Sequence, residues 1–428
     1  MSSRLTFAHL SDIHFIRGFS GESAFDLDDK VRKAVLLDAE VLHDKGVDAV
    51  TGVLITGDIA FAAQAEEYET AIAWLSEFTG KLKCPAEYVW CVPGNHDVDQ
   101  SIMKEQTAIL ALHDQLRKSD RLDDHLRQHL ENSNTGPLLF APFKTFNEKF
   151  AARFKCLTLP KKPWWEFDFT LNDRSTLRLR GLNSSLVSDW DDDFDNAKVL
   201  LGSAQTEYGH ETGVEYLTLC HHPVDWLVDR ENSQQALLAY SRINLFGHKH
   251  VQTVNQLEQS LWLTAGAVHP VRKEKPWIPR YNYFSIGVDG EGSERYLVVE
   301  VYARVWDQDE RMFVREQGNY DGLAKRYRLK LKPWKATEAI LPSAEGKPAM
   351  QGESNTQSTS LREKKLMYRF IALPHHTRIA IMKKFDLTAP DDLKLPDVEL
   401  FTLCFERARK KGVLDAVWDA IEAHLSTP

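Results

Sequence analysis

An α/β domain followed by a small all-α module is predicted, and three observations carry the prediction. Short apolar strands alternate with amphipathic helices across residues 5–92. Strand signals return between residues 167 and 305, after a helical and highly charged stretch. A run rich in Ser, Thr, Gly, Pro and Gln then precedes a final segment with helical apolar spacing. Alternating strands and helices imply layers around a mostly parallel sheet, in which functional residues gather at the carboxyl ends of the strands.

In chain order, Leu5–Leu10 is a strand that begins almost at once. Residues 27–45 have helical spacing, with Val31, Val35, Val41 and Leu42 on one face. Residues 48–56 (DAVTGVLIT) form a second strand, 66–82 a second helix and 88–92 (YVWCV) a third strand. Residues 167–171 and 176–181 read as a hairpin around Asn172-Asp173. Strands follow at 214–220, 242–246, 260–265 and 281–288, and residues 297–305 are expected to close the sheet. Residues from about 100 to 163, helical and highly charged, are expected to be an inserted helical cap. Its basic residues, interspersed with acids, read as a solvated helix surface.

Residues 335–360 read as a flexible linker. Beyond it, residues 361–428 regain apolar periodicity, and Pro374, Pro390 and Pro396 divide them into three or four short helices. The expected organisation is therefore a domain over 1–334, a linker over 335–360 and a helical module over 361–428.

The composition (43% hydrophobic, 27% charged, 10% aromatic) excludes a disordered chain, a collagen-like fibre and a disulfide scaffold. With 53 basic and 62 acidic residues the net charge is −9, which argues against capture of nucleic acid by a broad basic face. Cys84, Cys91, Cys156, Cys220 and Cys404 are scattered and lack CxxC spacing, a pattern suited to reduced thiols. No apolar run is long enough to span a membrane and the start does not read as a signal peptide, so a cytoplasmic protein is expected.

Five clusters each follow a predicted strand: Asp12-Ile13-His14, Gly57-Asp58, Gly94-Asn95-His96-Asp97, His221-His222-Pro223 and Gly247-His248-Lys249-His250. They combine Asp and Asn oxygens with several imidazoles, a set suited to divalent transition metals rather than to Ca or Mg. On an extended segment, residues i and i+2 of D-x-H or H-x-H point to one side and reach one site. Glycines beside Asp58, Asn95 and His248 allow tight turns there.

HLSDIH, GD, GNHD, HHP and GHKH, in this order over residues 5–305, resemble the calcineurin-like metallophosphoesterases. The resemblance implies two packed β-sheets flanked by helices and a centre of two divalent metal ions. Manganese is favoured, and Fe, Zn, Co or Ni also suit the donors. It implies Asp12, His14 and His250 on the first metal, Asn95, His221 and His248 on the second, and Asp58 bridging both. His96 would contact phosphate or protonate the leaving group, with Asp97 orienting it. It further implies in-line attack on phosphorus by a metal-supplied hydroxide without a covalent enzyme intermediate. The expected substrate is a phosphodiester, either nucleic acid or a cyclic or other nucleotide. The rivals are a phosphomonoesterase acting on a small metabolite or phosphoprotein, and a partner-docking signalling module. An intact ligand set argues against the last.

The remaining signals read as structure. His222 is a packed neighbour of the site, and His9 and His269 are core or edge residues. His43, His113, His125, His129 and His210 look like solvated surface. Residues 189–195 (DWDDDFD) read as an acidic loop, Lys161-Lys162-Pro163-Trp164-Trp165 as a loop packing two tryptophans rather than a stacking platform for bases, and Cys220 as core. The tail, through Arg369-Phe370-Ile371-Ala372-Leu373-Pro374 and Leu400-Phe401 to Arg409-Lys410-Lys411-Gly412, resembles small adaptor domains of bacterial conflict and defence proteins. That resemblance implies a protein partner for residues 361–428.

Overall fold

Strands β1 (Leu5–Leu10), β2 (Gly52–Thr56) and β3 (Val89–Val92) are buried on both faces, as parallel central strands must be. In the computed structural model they are followed by β4 (Trp164–Thr170), β5 (Thr176–Leu182), β6 (Val214–Leu219), β7 (Ser241–Phe246), β8 (Thr253–Leu257), β9 (Ser260–Thr264), β10 (Arg280–Asp289), β11 (Tyr296–Asp307), β12 (Met312–Arg315) and β13 (Lys325–Lys330). The structure describes residues 4–16, 27–44, 49–190, 198–270, 277–316, 324–335, 356–389, 391–392, 395 and 397–425. Most of the expected linker and residues 191–195 of the acidic loop lie outside that set.

The strands form two sheets, one in the order β12-β11-β10-β1-β2-β3 with β13 also on β11, the other in the order β4-β5-β6-β7-β9-β8. β1, β2 and β3 are parallel, and Leu10 stands opposite Ile55 as Thr56 does opposite Val92. Their carboxyl ends therefore finish side by side. In the second sheet β5, β6, β7 and β9 are parallel, and Leu219 stands opposite Leu245. The sheets pack face to face through Phe7 on Phe169 and Trp90 on Phe167, with ring centroids 5.4 and 5.0 Å apart. No helix among the described residues is long and apolar enough to cross a membrane.

Three expectations need correction. β11 does not close the first sheet: β12 and β13 both pair with it. These strands and β8 are short edge strands; in β13 (KRYRLK) charged residues mask the apolar pattern, and in β8 (TVNQL) polar ones do. Trp164 and Trp165 do not sit in a loop but open β4. Trp165 is buried against Gly181 and donates to the Cys91 carbonyl at 2.8 Å, and the half-buried Trp164 packs on the cluster that includes Leu182 and Trp262. His113 is buried rather than solvated. It shares the inner face of helix Thr107–Arg117 with Ile109, Leu112 and Leu116, at helical spacing.

The insertion is helical from Gln100 through Phe140 and has an apolar cluster of its own, which also takes in Leu186, Val187 and Leu200. Phe146, Phe150, Phe154 and Cys156 belong instead to the main core. The tail folds into helices Thr356–Ala372, His375–Lys384, Asp397–Lys410 and Leu414–Leu425 around Phe370, Ile381, Phe401, Cys404 and Ile421. The first of them begins inside the stretch read as linker.

Helix Thr356–Ala372 is held against the α/β domain by a fully buried lysine. The Lys364 ammonium donates to the Phe154 carbonyl, lies 4.6 Å over the Trp90 ring and stands 4.0 Å from Cys156 Sγ. Burial pushes its pKa down to about 8, and the neighbouring thiols only partly offset this. Lys155 pairs with Glu363 at 2.5 Å beside it. Replacing a buried charge by an apolar chain of similar length is cheap, whereas reversing its sign is not. Lys364→Met should therefore unfold within about 1 kcal/mol of the wild type, while Lys364→Glu should lose about 3–5 kcal/mol. Thermal melts would read the difference, and limited proteolysis should show the C-terminal helices released only in the Glu variant.

Candidate metal centre

Each donor stands where a strand stops. Beyond β1, Asp12 and Ile13 donate their N–H groups to the carbonyls of Gly57 and Asp58, and Phe15 N–H bonds the Ile59 carbonyl at 2.9 Å. The loops after β1 and β2 are thereby bonded together. The loop after β7 joins them through His248 N–H to Asp12 Oδ2 (3.2 Å), and the loop after β3 through His96 N–H to Asp58 Oδ1 (2.9 Å). Two glycines permit this closeness. A Cβ at Gly94 would lie 2.0 Å from Asp58 Oδ1, and one at Gly247 would lie 2.0 Å from Ser11 Oγ.

The convergence of i and i+2 side chains has a different cause from the one expected. The segments are not extended: Asp12, His14, Asp58, His248 and His250 all adopt positive φ, between 51° and 65°. Non-glycine residues held in this region cost of order 1–3 kcal/mol each and concentrate at functional sites. Left-handed kinks beyond the strand ends, rather than strand alternation, turn these side chains inward.

All seven expected ligands come together. Asp58 Oδ2 lies 3.3 Å from His14 Nε2 and 3.4 Å from His221 Nε2. Asn95 Oδ1 lies 3.0 Å from His221 Nε2 and 3.2 Å from His248 Nδ1, and Asp12 Oδ1 lies 3.2 Å from His250 Nε2. The donors of Asp12, Asp58 and His221, and those of His14, Asp58 and His96, form compact groups able to hold an ion. Two ligand atoms each ~2.1 Å from one cation, at tetrahedral or octahedral angles, stand roughly 3.0–3.4 Å apart, so this donor set fits a divalent metal. Carbonyls orient the rings: His221 Nδ1–H donates to Thr56 at 2.7 Å and His14 Nδ1–H to His269 at 3.4 Å, leaving each Nε2 lone pair facing inward.

The local field is strongly negative. Burial opposes a charge on His221, yet Asp58 and Asp12 raise its pKa to about 9. Burial likewise opposes ionisation of Asp58, but His221, His96 and His14 hold its carboxyl well below the usual range. His248 is pushed down to about 3 by burial and by the charge of His221, so its nitrogens remain available as ligands.

His96 and Asp97 depart from expectation in their partners. Asp97 makes no bond to His96: its oxygens accept from the backbone of Ile59, Ala60 and Gly94 and from the Tyr68 hydroxyl, at 3.0–3.2 Å. Burial and the nearby Asp58 raise its pKa to about 6, opposed by those N–H groups. Asp97 thus ties the loops after β2 and β3 together. The Phe61 carbonyl orients His96 instead, accepting from Nδ1–H at 2.7 Å. A backbone acceptor leaves no side-chain signal in the sequence, so no motif could have shown it. His222 is buried, its Nδ1 2.9 Å from Ser184 Oγ and its ring 4.6 Å from that of His248. His9 is core, bonded to Thr56 Oγ1, and Cys220 is buried as expected.

The calcineurin-like phosphoesterase model matches residues 5–252, more than half of the chain. The chain belongs to the calcineurin-like phosphoesterase family. It is accordingly a metal-dependent phosphoric ester hydrolase by family, with the two-sheet fold of that family. A GTPase-associated adaptor domain model matches residues 362–423 of this phosphoesterase, within the helical tail. Three solved structures are similar at low identity. A conserved Streptococcus pneumoniae protein predicted to be a phosphoesterase is 12% identical, over 77% of this chain and 99% of that one, with a TM-score of 0.27. Vps29 of Chaetomium thermophilum is 9% identical, over 78% and 99%, with a TM-score of 0.30. A 5'-nucleotidase of Candida albicans is 12% identical, over 72% and 53%, with a TM-score of 0.35. Likenesses this faint say nothing about substrate. No curated protein matches the sequence.

Gly94→Ala should push Asp58 and its backbone out of place and weaken Mn²⁺ uptake about 10–100-fold, as other losses of ligand support do, in calorimetric titrations of chelator-treated protein. A cation also competes with the proton that Asp58 and Asp12 hold on His221. Because that pKa is raised to about 9, uptake near pH 7.5 should release protons and weaken as the pH falls. Titrations in weakly buffered solution would count the protons.

Proposed function

We propose that this phosphoesterase is a phosphodiesterase acting on nucleic acid or a nucleotide, and that it works with two divalent cations, manganese favoured. Asp12, His14 and His250 would hold the first cation, Asn95, His221 and His248 the second, and Asp58 would bridge them. The observation that carries this reading is the place of Asp58 Oδ2, within 3.4 Å of imidazole nitrogens from both ligand groups. Two cations that close need an anion between them. Bound there, the pair would supply a water-derived nucleophile at neutral pH and positive charge for the phosphoryl oxygens.

The chain's own residues then have separable tasks. Asp12 and Asp58 supply the buried negative charge, and the Thr56 and His269 carbonyls keep two imidazoles turned inward. His96 has its Nδ1 proton engaged by the Phe61 carbonyl, so Nε2 is the nitrogen that hands a proton to the departing oxygen. Asp97 and Tyr68 are positioning residues, fixing the loop that carries Asn95 and His96. The adaptor match supports a further task for residues 362–423, docking a protein partner. The tail's resemblance to adaptor domains of bacterial defence proteins points to a partner in such a system.

With Mn²⁺, the protein should hydrolyse bis(p-nitrophenyl) phosphate faster than p-nitrophenyl phosphate, and Asp58→Ala should abolish both activities. His96→Ala should slow cleavage of a dinucleotide by about 10²–10⁴-fold, the usual worth of a positioned acid, and slow a p-nitrophenyl ester far less because that leaving group needs no proton. A panel of single- and double-stranded DNA, RNA and cyclic nucleotides would then rank the substrates. Preference for the monoester would reverse the assignment.

A further inference from the structure

Beside the ligand set stands an aromatic ring that is rigidly mounted yet uncovered. Phe61 is 47% exposed, although its backbone is fixed at both ends. Its N–H donates to the Phe15 carbonyl at 3.0 Å, and its carbonyl accepts from His96. Ala60, one residue before it, is bonded to the buried Asp97 carboxylate. The ring leans on His96 with centroids 5.2 Å apart and planes 33° from parallel, and meets His14 edge-on at 6.2 Å. One face of Phe61 therefore borders the metal-ligating side chains while much of the ring meets solvent.

The rest of the rim is of similar character. Trp226 sets its half-buried ring against His248 at 4.2 Å, and Val251, beside His250, is 61% exposed. Lys249, in the same loop, is paired with Asp225 and so offers a phosphate chain little net charge. Among the described residues, this rim is apolar and close to neutral rather than basic. It suits one phosphate placed over the ligand set with a flat, weakly polar group laid beside it, as aromatic side chains receive bases.

We propose that Phe61 is a specificity-determining residue whose exposed ring stacks on the nucleobase of a small nucleotide ester while the phosphate occupies the ligand set. The inference rests on the phosphoesterase reading of that set and narrows its substrate to one bearing a planar base. Stacking of a base on an aromatic ring changes affinity roughly 5- to 100-fold. The placement next to His96 puts that contact alongside the group assigned to the leaving oxygen.

The test compares AMP with ribose 5-phosphate, which carries the same sugar and phosphate class without a base. Both are titrated calorimetrically into the Mn²⁺-loaded full-length protein, and both are used as inhibitors of bis(p-nitrophenyl) phosphate hydrolysis. The wild type should bind AMP at least about fivefold more tightly than ribose 5-phosphate. Phe61→Ala and Phe61→Leu should erase that ratio, and Phe61→Trp should keep it. Melting curves confirm that each variant is folded, and the Leu variant retains apolar bulk without a flat face. Equal binding of the two ligands by the wild type, or a ratio unchanged in the Ala and Leu variants, overturns the proposal. A wild type that prefers AMP but leaves the diester intact overturns the phosphodiesterase reading alone. A wild type that cleaves the diester but binds neither ligand overturns the Phe61 proposal alone.

Discussion

Three loops from two different sheets come within hydrogen-bonding distance of a single residue, Asp58, and the geometry of the site follows from that convergence. Its carbonyl accepts from Ile13 and His14, its Oδ1 from the His96 backbone, and its Oδ2 faces His14 and His221. The first sheet contributes β1, β2 and β3, whose aligned ends set three loops side by side, and the second contributes His221 from the end of β6. A buried carboxylate alone would be costly, so the arrangement holds only because N–H groups and imidazoles surround it. The same concentration of negative charge makes the place a seat for cations.

The backbone stores strain where the donors are displayed. Five of the expected ligands sit at positive φ, a conformation that β-carbons disfavour, and Asp12, His14, Asp58 and His248 are locked by hydrogen bonds to a neighbouring loop. Asp97 is central to that locking. Buried behind the site, it satisfies three backbone donors and the Tyr68 hydroxyl, and so holds the turns after β2 and β3 in register. Rigidity of this kind lets ligand atoms keep their spacing before a metal arrives, which is what preorganisation requires.

Charge is distributed in a way that the chain total conceals. The net −9 counts buried carboxylates whose partners are imidazoles, while the rim described around them is apolar and its lysine is paired. Elsewhere a buried cation has a mechanical part: Lys364 fastens the adaptor helices to the back of β3, beside Trp90, in the strand that leads into the loop carrying Asn95.

The central strands, the helical character of the tail and the donors that cluster were legible in the sequence, because continuous apolar runs and glycine-flanked Asp, Asn and His are local signals. Charged edge strands such as β13, KRYRLK, were not, since only Tyr327 and Leu329 face inward and the pattern is swamped by solvated lysines and arginines. His113 was misplaced for the converse reason, a polar residue on an apolar helix face. What chain order by itself determined was the set of side chains able to bind metal and the strands that deliver them. Tertiary structure alone decided the left-handed kinks that turn them inward, the Phe61 carbonyl that orients His96, the diversion of Asp97 to backbone donors and the exposure of the Phe61 ring. Those features depend on which loops the folded sheets bring within about 3 Å of one another, and a hydrogen bond to a backbone atom leaves no trace in residue identity.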